Sequence, residues 1–298
     1  MDSASFQFGI ICDCQYTDAD SDTSAGGVRQ LSYGTQGKSV TVPRDRQYRL
    51  SLDKLNRAID KFNSEKVDFI FHLGDLADNS LQDYQPVNKR LDEAAMPVYQ
   101  VIGNRDYLAC GHDPKTVCRQ LGLDEPYYSL TYHNTRFIVL DSNELGVINT
   151  KPGTKQRRQA QDYIETLRRK EVIYAHLSNG GLGQNQYDWL KNQLDSATAA
   201  HQSIIVLSHH PLYPLDIHNM LNTDKILELL AGYKITAFLN GHNHAGNYGL
   251  KNQTPYITFP GLVEGTSEAH SIARIDGNSV NITGYGRHAN YSFELKTN

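Results

Sequence analysis

The chain has no surplus of positive charge, no long apolar run and no dense set of cysteines, and each absence removes a class of function. Lys and Arg number 29 against 33 Asp and Glu, giving a net charge of −4 at neutral pH. Binding a long polyanion needs a basic stripe that releases counterions, and none runs through this sequence. Long nucleic acids are therefore not expected as substrates. A small phosphate compound stays open, because a bound dication supplies positive charge locally. The first apolar run, Phe6 to Cys12, is too short for a membrane span, and the residues before it lack the basic flank of a signal peptide. The expectation is a cytoplasmic protein with no membrane partner. Cys12, Cys14, Cys110 and Cys118 read as reduced thiols. Cys12 and Cys14 flank Asp13 and are expected to pack at a strand end rather than to bind metal. Repeats and low-complexity linkers are also missing. A chain of 298 residues can bury a core large enough to fold without disulfides or metal staples. One domain covering residues 1–298 is expected, with any metal serving chemistry rather than folding.

What the sequence does contain is a series of short apolar, β-branched runs. They are Phe6 to Cys12, Val67 to Leu73, Pro97 to Ile102, Arg136 to Leu140, Ser203 to Leu207 and Ile235 to Leu239. Bounded runs of this kind read as buried strands. Amphipathic helical patterns lie between them, with Leu52, Leu55, Ile59 and Phe62 on one face and Tyr187, Leu190 and Leu194 on another. Alternating strands and helices predict an α/β layered fold. After His244 short strands follow one another, at Tyr256 to Phe259, Ser271 to Ile275 and Val280 to Gly284, and read as antiparallel strands completing a second sheet. Stretches near 17–43, 109–126 and 143–181 are polar or Gly-rich and poorly periodic. They read as inserted loops over the site.

Five clusters fall at the C-terminal ends of expected strands: Asp13-Cys-Gln15, Gly74-Asp75-Leu-Ala-Asp78, Gly103-Asn104-Arg105-Asp106, Ser208-His209-His210 and Gly241-His242-Asn-His244. Ligands of open α/β sheets collect outside these ends, so distant clusters can converge. The residue types suit a pair of divalent cations. Asp75 follows a glycine and can turn its carboxylate between two ions. The mixture of hard oxygen and imidazole nitrogen suits Mn²⁺, Fe or Zn²⁺ and excludes a thiolate-type structural zinc site.

These five clusters, in this order, resemble the calcineurin-like metallophosphoesterase superfamily, and more narrowly its manganese-dependent ADP-ribose/CDP-alcohol diphosphatases. Three features carry the narrower resemblance. They are Gln15, the Arg44 to Asp60 segment with Tyr48-Arg49, and Asn179-Gly180-Gly181 followed by Gln184, Gln186 and Trp189-Leu190. The resemblance covers about Phe6 to Arg287. It implies a four-layer sandwich, two mixed β-sheets flanked by helices. One metal would be held by Asp13, Gln15, Asp75 and His244, and a second by Asp75, Asn104, His209 and His242. It further implies a metal-bridging hydroxide attacking phosphorus, with the phosphoanhydride of a small nucleoside diphosphate compound as the bond cleaved. His210 does not match a ligand position.

One departure bears on chemistry. The family's Gly-Asn-His-Asp/Glu reads Gly103-Asn104-Arg105-Asp106. Arginine stays protonated at working pH and is a poor general acid, yet it can bind phosphate oxygens bidentately. Arg105 and Asp106 are therefore the catalytic candidates, with a preference for good leaving groups. Two alternatives remain: a phosphodiesterase or phosphomonoesterase acting on cyclic nucleotides or other small phosphoesters, and a metal-binding pseudoenzyme disabled by Arg105. Asp78 reads either as support for the cage or as a solvated carboxylate. His72, His112, His133, His176 and His218 are expected to be structural, although His112 and His176 sit in loops that can overhang the site. Tyr16, Tyr107, Tyr213 and Phe259 are candidates to stack on a base.

Overall fold

The computed structural model describes residues 5–298, apart from the Ala25 side chain. From the N-terminus, β1 (Phe6–Ile11) leads into a long hairpin of β2 (Asp22–Tyr33) and β3 (Lys38–Arg46). Then come α1 (Tyr48–Glu65), β4 (Phe69–His72), α2 (Tyr84–Leu91), β5 (Val98–Gln100), α3 (Asn104–Ala109) and α4 (Pro114–Leu121). The middle of the chain forms β6 (Tyr128–Tyr132), β7 (Thr135–Val139), α5 (Lys155–Arg169), α6 (Gln184–Ala199) and β8 (Ser203–Leu207). The remainder forms α7 (Thr223–Leu230), β9 (Ile235–Asn240), β10 (Asn247–Lys251), β11 (Thr254–Thr258), β12 (Ala269–Asp276), β13 (Ser279–Gly286) and β14 (Tyr291–Glu294).

Two six-stranded mixed sheets result, ordered β14-β13-β12-β1-β4-β5 and β10-β11-β9-β8-β7-β6. Their facing sides share one apolar layer, with Phe8, Ile10, Phe69, Phe71 and Val101 against Phe137, Val139, Ile205, Leu207 and Phe259. Burying each such side chain is worth about 1.5–3 kcal/mol, so this layer fixes the two sheets face to face. On the outer side of the first sheet, α1 buries Leu55, Ala58, Ile59 and Phe62 against Ile11 and Ile70. On the outer side of the second, Leu190 and Leu194 of α6 and Ile226 and Leu230 of α7 meet Ile138, Ile204 and Val206. The four-layer α/β sandwich is present. β1, β4 and β5 run parallel, as do β7, β8, β9 and β11.

Four expectations need correction. The 17–43 stretch is not a loop but mostly the β2–β3 hairpin, paired from Val28↔Pro43 to Tyr33↔Lys38 with a bulge between Thr23 and Val28. Both its faces are largely solvated, so it lacks the alternation that marks a half-buried strand. The 109–126 stretch contains α4, whose start is capped by Asp113 accepting from the Thr116 amide at 3.0 Å and whose end is Gly122 in the left-handed region. The 143–181 stretch contains α5, which buries only Ile164 and therefore carries little hydrophobic signal. The C-terminal strands divide between the sheets. β11 joins the second sheet parallel to β9, while β12, β13 and β14 extend the first sheet from β1.

Candidate metal centre

All five clusters meet at one edge of the sandwich, where β1, β4, β8 and β9 end. Asp13 and Gln15 follow β1, Asp75 follows β4, and Asn104 opens α3 after β5. His209 follows β8, and His242 and His244 follow β9. The chain turns sharply as it leaves the strands: Asp13, Gln15, Asp75 and His242 hold φ of 51°, 43°, 60° and 66°. Left-handed backbone at non-glycine residues costs on the order of 1 kcal/mol each, and such strain gathers at functional sites. Gly103 is required by contact. A Cβ there would lie 2.1 Å from Asp75 Oδ1. Gly74, at φ 96°, would collide with the His209 ring at 2.5 Å.

The side chains form two groups that share Asp75. In one, the Gln15 amide lies 2.7 Å from Asp75 Oδ2 and 3.0 Å from His244 Nε2, and His244 Nε2 lies 3.3 Å from Asp13 Oδ1. In the other, His209 Nε2 lies 3.4 Å from Asp75 Oδ1, 3.1 Å from Asn104 Oδ1 and 3.2 Å from His242 Nδ1. Donor atoms of Asp75, His209 and His242 all lie within 4.8 Å of one another.

Hydrogen bonding on the far side of each ring decides which nitrogen faces inward. His209 Nδ1 is 2.9 Å from the Leu73 carbonyl, His244 Nδ1 is 2.8 Å from Glu264 Oε1, and His242 Nε2 is 3.0 Å from Asn179 Oδ1. Each partner accepts, so each of these nitrogens donates and the opposite nitrogen presents a lone pair. Lone pairs of His209 and His242 then face each other at 3.2 Å beside the oxygens of Asp75 and Asn104. Asp13 Oδ1 and Gln15 Oε1 are also buried without a hydrogen-bond partner. Around His209 and His242 the acceptors converge with no donor between them and repel unless a cation intervenes. Around His244 the Gln15 amide NH₂ donates into the gap, and its unbonded Oε1 takes that place only when the amide turns over. The donor set therefore fits metal ions, with oxygen and imidazole ligands of the kind Mn²⁺ accepts.

Without a cation, protons take that place. Burial opposes charge on His209, but Asp75 and Asp13 override it and draw its pKa up to about 9. His244 is raised likewise against its burial, by Asp13 and Glu264. His242 is driven well down by burial and by the neighbouring histidines His210, His209 and His218.

The Asp106 carboxylate is engaged by groups other than the Arg105 guanidinium. It accepts from the amides of Asp75 at 3.0 Å, Leu76 at 3.1 Å and Gly103 at 2.9 Å, and from the Tyr84 hydroxyl at 2.9 Å. It fastens the two ligand-bearing turns together, which makes it a positioning residue rather than a partner for residue 105. The Arg105 amide donates to Asp75 Oδ1 at 2.7 Å, while its guanidinium is 3.7 Å from Asp78. Asp78 also pairs with Arg46 at 3.5 Å, and Arg46 reaches Glu264 at 3.7 Å. His210 turns away from the cluster, between Ser142 Oγ at 2.7 Å and the Ser178 carbonyl at 3.1 Å.

A pocket opens over the cluster, roofed by the β2–β3 hairpin through Arg29, Leu31, Val42, Pro43, Arg44 and Arg46. Arg105, His176, Ser178, His218 and Asn243 line it with Gln15, Asp75, Asn104, His242 and His244, while Asp13 and His209 lie beneath its floor. Sequence reasoning missed Arg29, Leu31 and Val42, and gave His218 a structural role. His218 in fact lines the pocket with its ring centroid 5.5 Å from that of His242. His112 does not line it, and bonds the Ile148 carbonyl. The aromatic candidates fare no better. Tyr107 is buried with its hydroxyl donating to Asp141 at 2.7 Å, Phe259 is buried in the core, and neither Tyr16 nor Tyr213 lines the pocket.

A family model described as calcineurin-like phosphoesterase matches residues 48–246. A protein of Mus musculus named manganese-dependent ADP-ribose/CDP-alcohol diphosphatase is 26% identical over 328 residues, covering 95% of this chain and 91% of its own length. One of the same name from Arabidopsis thaliana is 26% identical over 324 residues, covering 97% of each. The crystal structure of a dimetal phosphatase from Danio rerio superposes with a TM-score of 0.83 at 22% identity, over 98% of this chain and 99% of that one. The family match spans more than half of the chain and holds four of the five clusters whole. This chain belongs to the calcineurin-like phosphoesterase family, and it is a hydrolase of the metallophosphoesterase kind.

Proposed function

We propose that the chain hydrolyses the phosphoanhydride bond of small nucleoside diphosphate compounds of the ADP-ribose or CDP-alcohol type, using two divalent cations, manganese first among them. Asp13, Gln15, Asp75 and His244 would hold one ion, and Asp75, Asn104, His209 and His242 the other. Such ions supply an activated water at neutral pH and Lewis acidity at the phosphoryl oxygens. The observation that carries the reading is the convergence of buried lone pairs around Asp75, flanked by two separate ligand groups.

The substrate class draws its support from the pocket. Arg29, Arg44, Arg46 and Arg105 line it together, beside the aliphatic Leu31 and Val42 for an organic group. Asp22, Asp78 and Glu264 offset part of their charge, yet the N–H donors of four guanidinium groups suit more than one phosphate. Arg105 holds its charge throughout the reaction and so steadies phosphate oxygens without donating a proton. A departing nucleotide phosphate needs little protonation, whereas an alkoxide does. The curated relatives named above as ADP-ribose/CDP-alcohol diphosphatases point the same way. The test is hydrolysis with Mn²⁺ of ADP-ribose and a CDP-alcohol against cyclic nucleotides and simple phosphomonoesters. Faster turnover of the monoesters overturns the substrate assignment.

A further inference from the structure

Two of the three inward-facing histidines are oriented by a backbone carbonyl or a carboxylate: the Leu73 carbonyl just ahead of Asp75 for His209, and Glu264 from the turn after β11 for His244. The third, His242, has only a side-chain amide behind it. Asn179 is fully buried, and its Oδ1 lies 3.0 Å from His242 Nε2. An amide can be built either way round, but here the surroundings decide. Asn179 Nδ2 lies 3.0 Å from the Tyr174 carbonyl and 2.7 Å from the Ile217 carbonyl. Two carbonyls demand the NH₂ group on that side, so the oxygen must face His242. An acceptor facing Nε2 forces the proton onto Nε2 and leaves the lone pair on Nδ1, the nitrogen 3.2 Å from His209 Nε2.

We infer that Asn179 is a positioning residue which fixes the His242 tautomer, so that Nδ1 is presented to the cation held by Asp75, Asn104, His209 and His242. The inference rests on the two-metal reading above. Among the described residues no other acceptor bonds the outer edge of His242, where its neighbours are the His210 ring, 4.2 Å between centroids, and the His218 ring. The next residue explains why Asn179 cannot drift. A Cβ on Gly180 would lie 2.3 Å from the Ser142 carbonyl, and the Gly180 carbonyl accepts from the Leu221 amide at 2.7 Å. Backbone packing on both sides thus holds the amide against the ring. Outer partners of metal-bound histidines typically carry a factor of about 10–100 in metal affinity.

The experiment compares the unaltered protein with Asn179→Leu, of similar size but without the acceptor, and Asn179→Asp, which keeps the acceptor and loses both donors. Mn²⁺ binding is titrated calorimetrically, and the imidazole tautomers of the metal-free protein are read from long-range ¹H–¹⁵N NMR correlations. In the unaltered protein two ions bind and His242 carries its proton on Nε2. Asn179→Leu weakens one of the two ions by about 10–100-fold and leaves the other within two-fold, and Asn179→Asp retains the tautomer and most of the affinity. The inference is overturned if His242 is protonated on Nδ1 alone, if Asn179→Leu binds both ions as the unaltered protein does, or if both ions weaken equally with a matching loss of thermal stability. Failure of the unaltered protein to bind two Mn²⁺ ions would instead overturn the two-metal reading itself.

Discussion

Arg105 has its backbone and its side chain assigned to different tasks. The amide donates to Asp75 at 2.7 Å whatever the side chain, while the guanidinium faces the pocket and Asp78. Replacing the side chain should therefore spare the metal cage. Arg105→Ala is expected to lower kcat/KM for ADP-ribose by roughly 10- to 150-fold, the value of a charge-assisted hydrogen bond at about 1.5–3 kcal/mol, with Mn²⁺ affinity unchanged. Arg105→His should shift preference toward phosphomonoesters, because an imidazole can protonate an alkoxide. Steady-state kinetics on both substrate classes decides this, and equal activity of all three proteins would remove Arg105 from the reaction. Asp106 behaves differently. Asp106→Ala strands three backbone amides and a tyrosine hydroxyl, at about 1–3 kcal/mol each, so a loss of at least roughly 4 kcal/mol is expected. In a chain of this size that is a drop in Tm of about 6 °C or more, read by thermal melting, and Asp106→Asn should cost less. The proposed metal ligands were legible in the sequence because each sits within a few positions of a glycine or a partner at a strand end. Asn179 stood out only as part of the Asn179-Gly180-Gly181 resemblance, with no role attached, and Glu264 did not stand out at all. Their roles depend on contacts with His242 and His244, 63 and 20 residues away.

The β2–β3 hairpin is the element that the sequence concealed. Its pocket-facing residues, Arg29 and Leu31 on one strand and Val42 and Arg44 on the other, alternate charged with aliphatic side chains, and Gly26, Gly27, Gly34 and Gly37 break up the runs. A strand with both faces largely in water has no hydrophobic period to reveal it, whereas β1, β4 and β8 announce themselves by burial alone. The hairpin is held at its base by Arg44 with Asp22 and Arg46 with Asp78, and at its tip by Glu171 just beyond α5. There Glu171 accepts from the Thr35 amide at 3.0 Å and hydroxyl at 2.6 Å and pairs with Lys38 at 3.1 Å. Those contacts, Thr35 foremost, draw the Glu171 carboxyl down to about 2. Shortening the hairpin by replacing 24–42 with a Gly-Ser turn should raise KM for ADP-ribose about tenfold or more, roughly 1.4 kcal/mol. Mn²⁺ binding and turnover of a small aryl phosphate diester should stay within a few-fold, since the hairpin adds nothing to the layer between the sheets. An unchanged KM would mean that Arg29, Leu31 and Val42, the pocket-lining residues this variant removes, do not meet the substrate.

For the molecule as a whole, the fold and the metal centre are separable in energy but coupled through protons. Two sheets and their helices bury four apolar clusters, none of them built on the metal-facing residues, so chelation should leave the secondary structure intact. What chelation changes is the charge state of the cluster. In the metal-free protein His209 is raised to about 9, against an ordinary 6.5, because Asp75 and Asp13 hold its proton in spite of burial. A raised folded pKa contributes stability that is complete below pH 6.5 and is lost as pH climbs through 9, so the metal-free protein should soften across that window. Cation binding runs the other way, since a ligand nitrogen must lose its proton first. Apparent Mn²⁺ affinity should therefore rise from pH 6.5 to about 9, by up to roughly tenfold per unit for each proton displaced, and level off above. Titrations at three pH values, repeated in buffers of different ionisation enthalpy, measure both the slope and the protons released. The melting temperatures of the metal-free and Mn²⁺-loaded proteins should then diverge as pH rises, the first falling while the second holds. Parallel curves would show that His209 gives up no proton to a metal, and that the paired lone pairs around Asp75 are not where the cation sits.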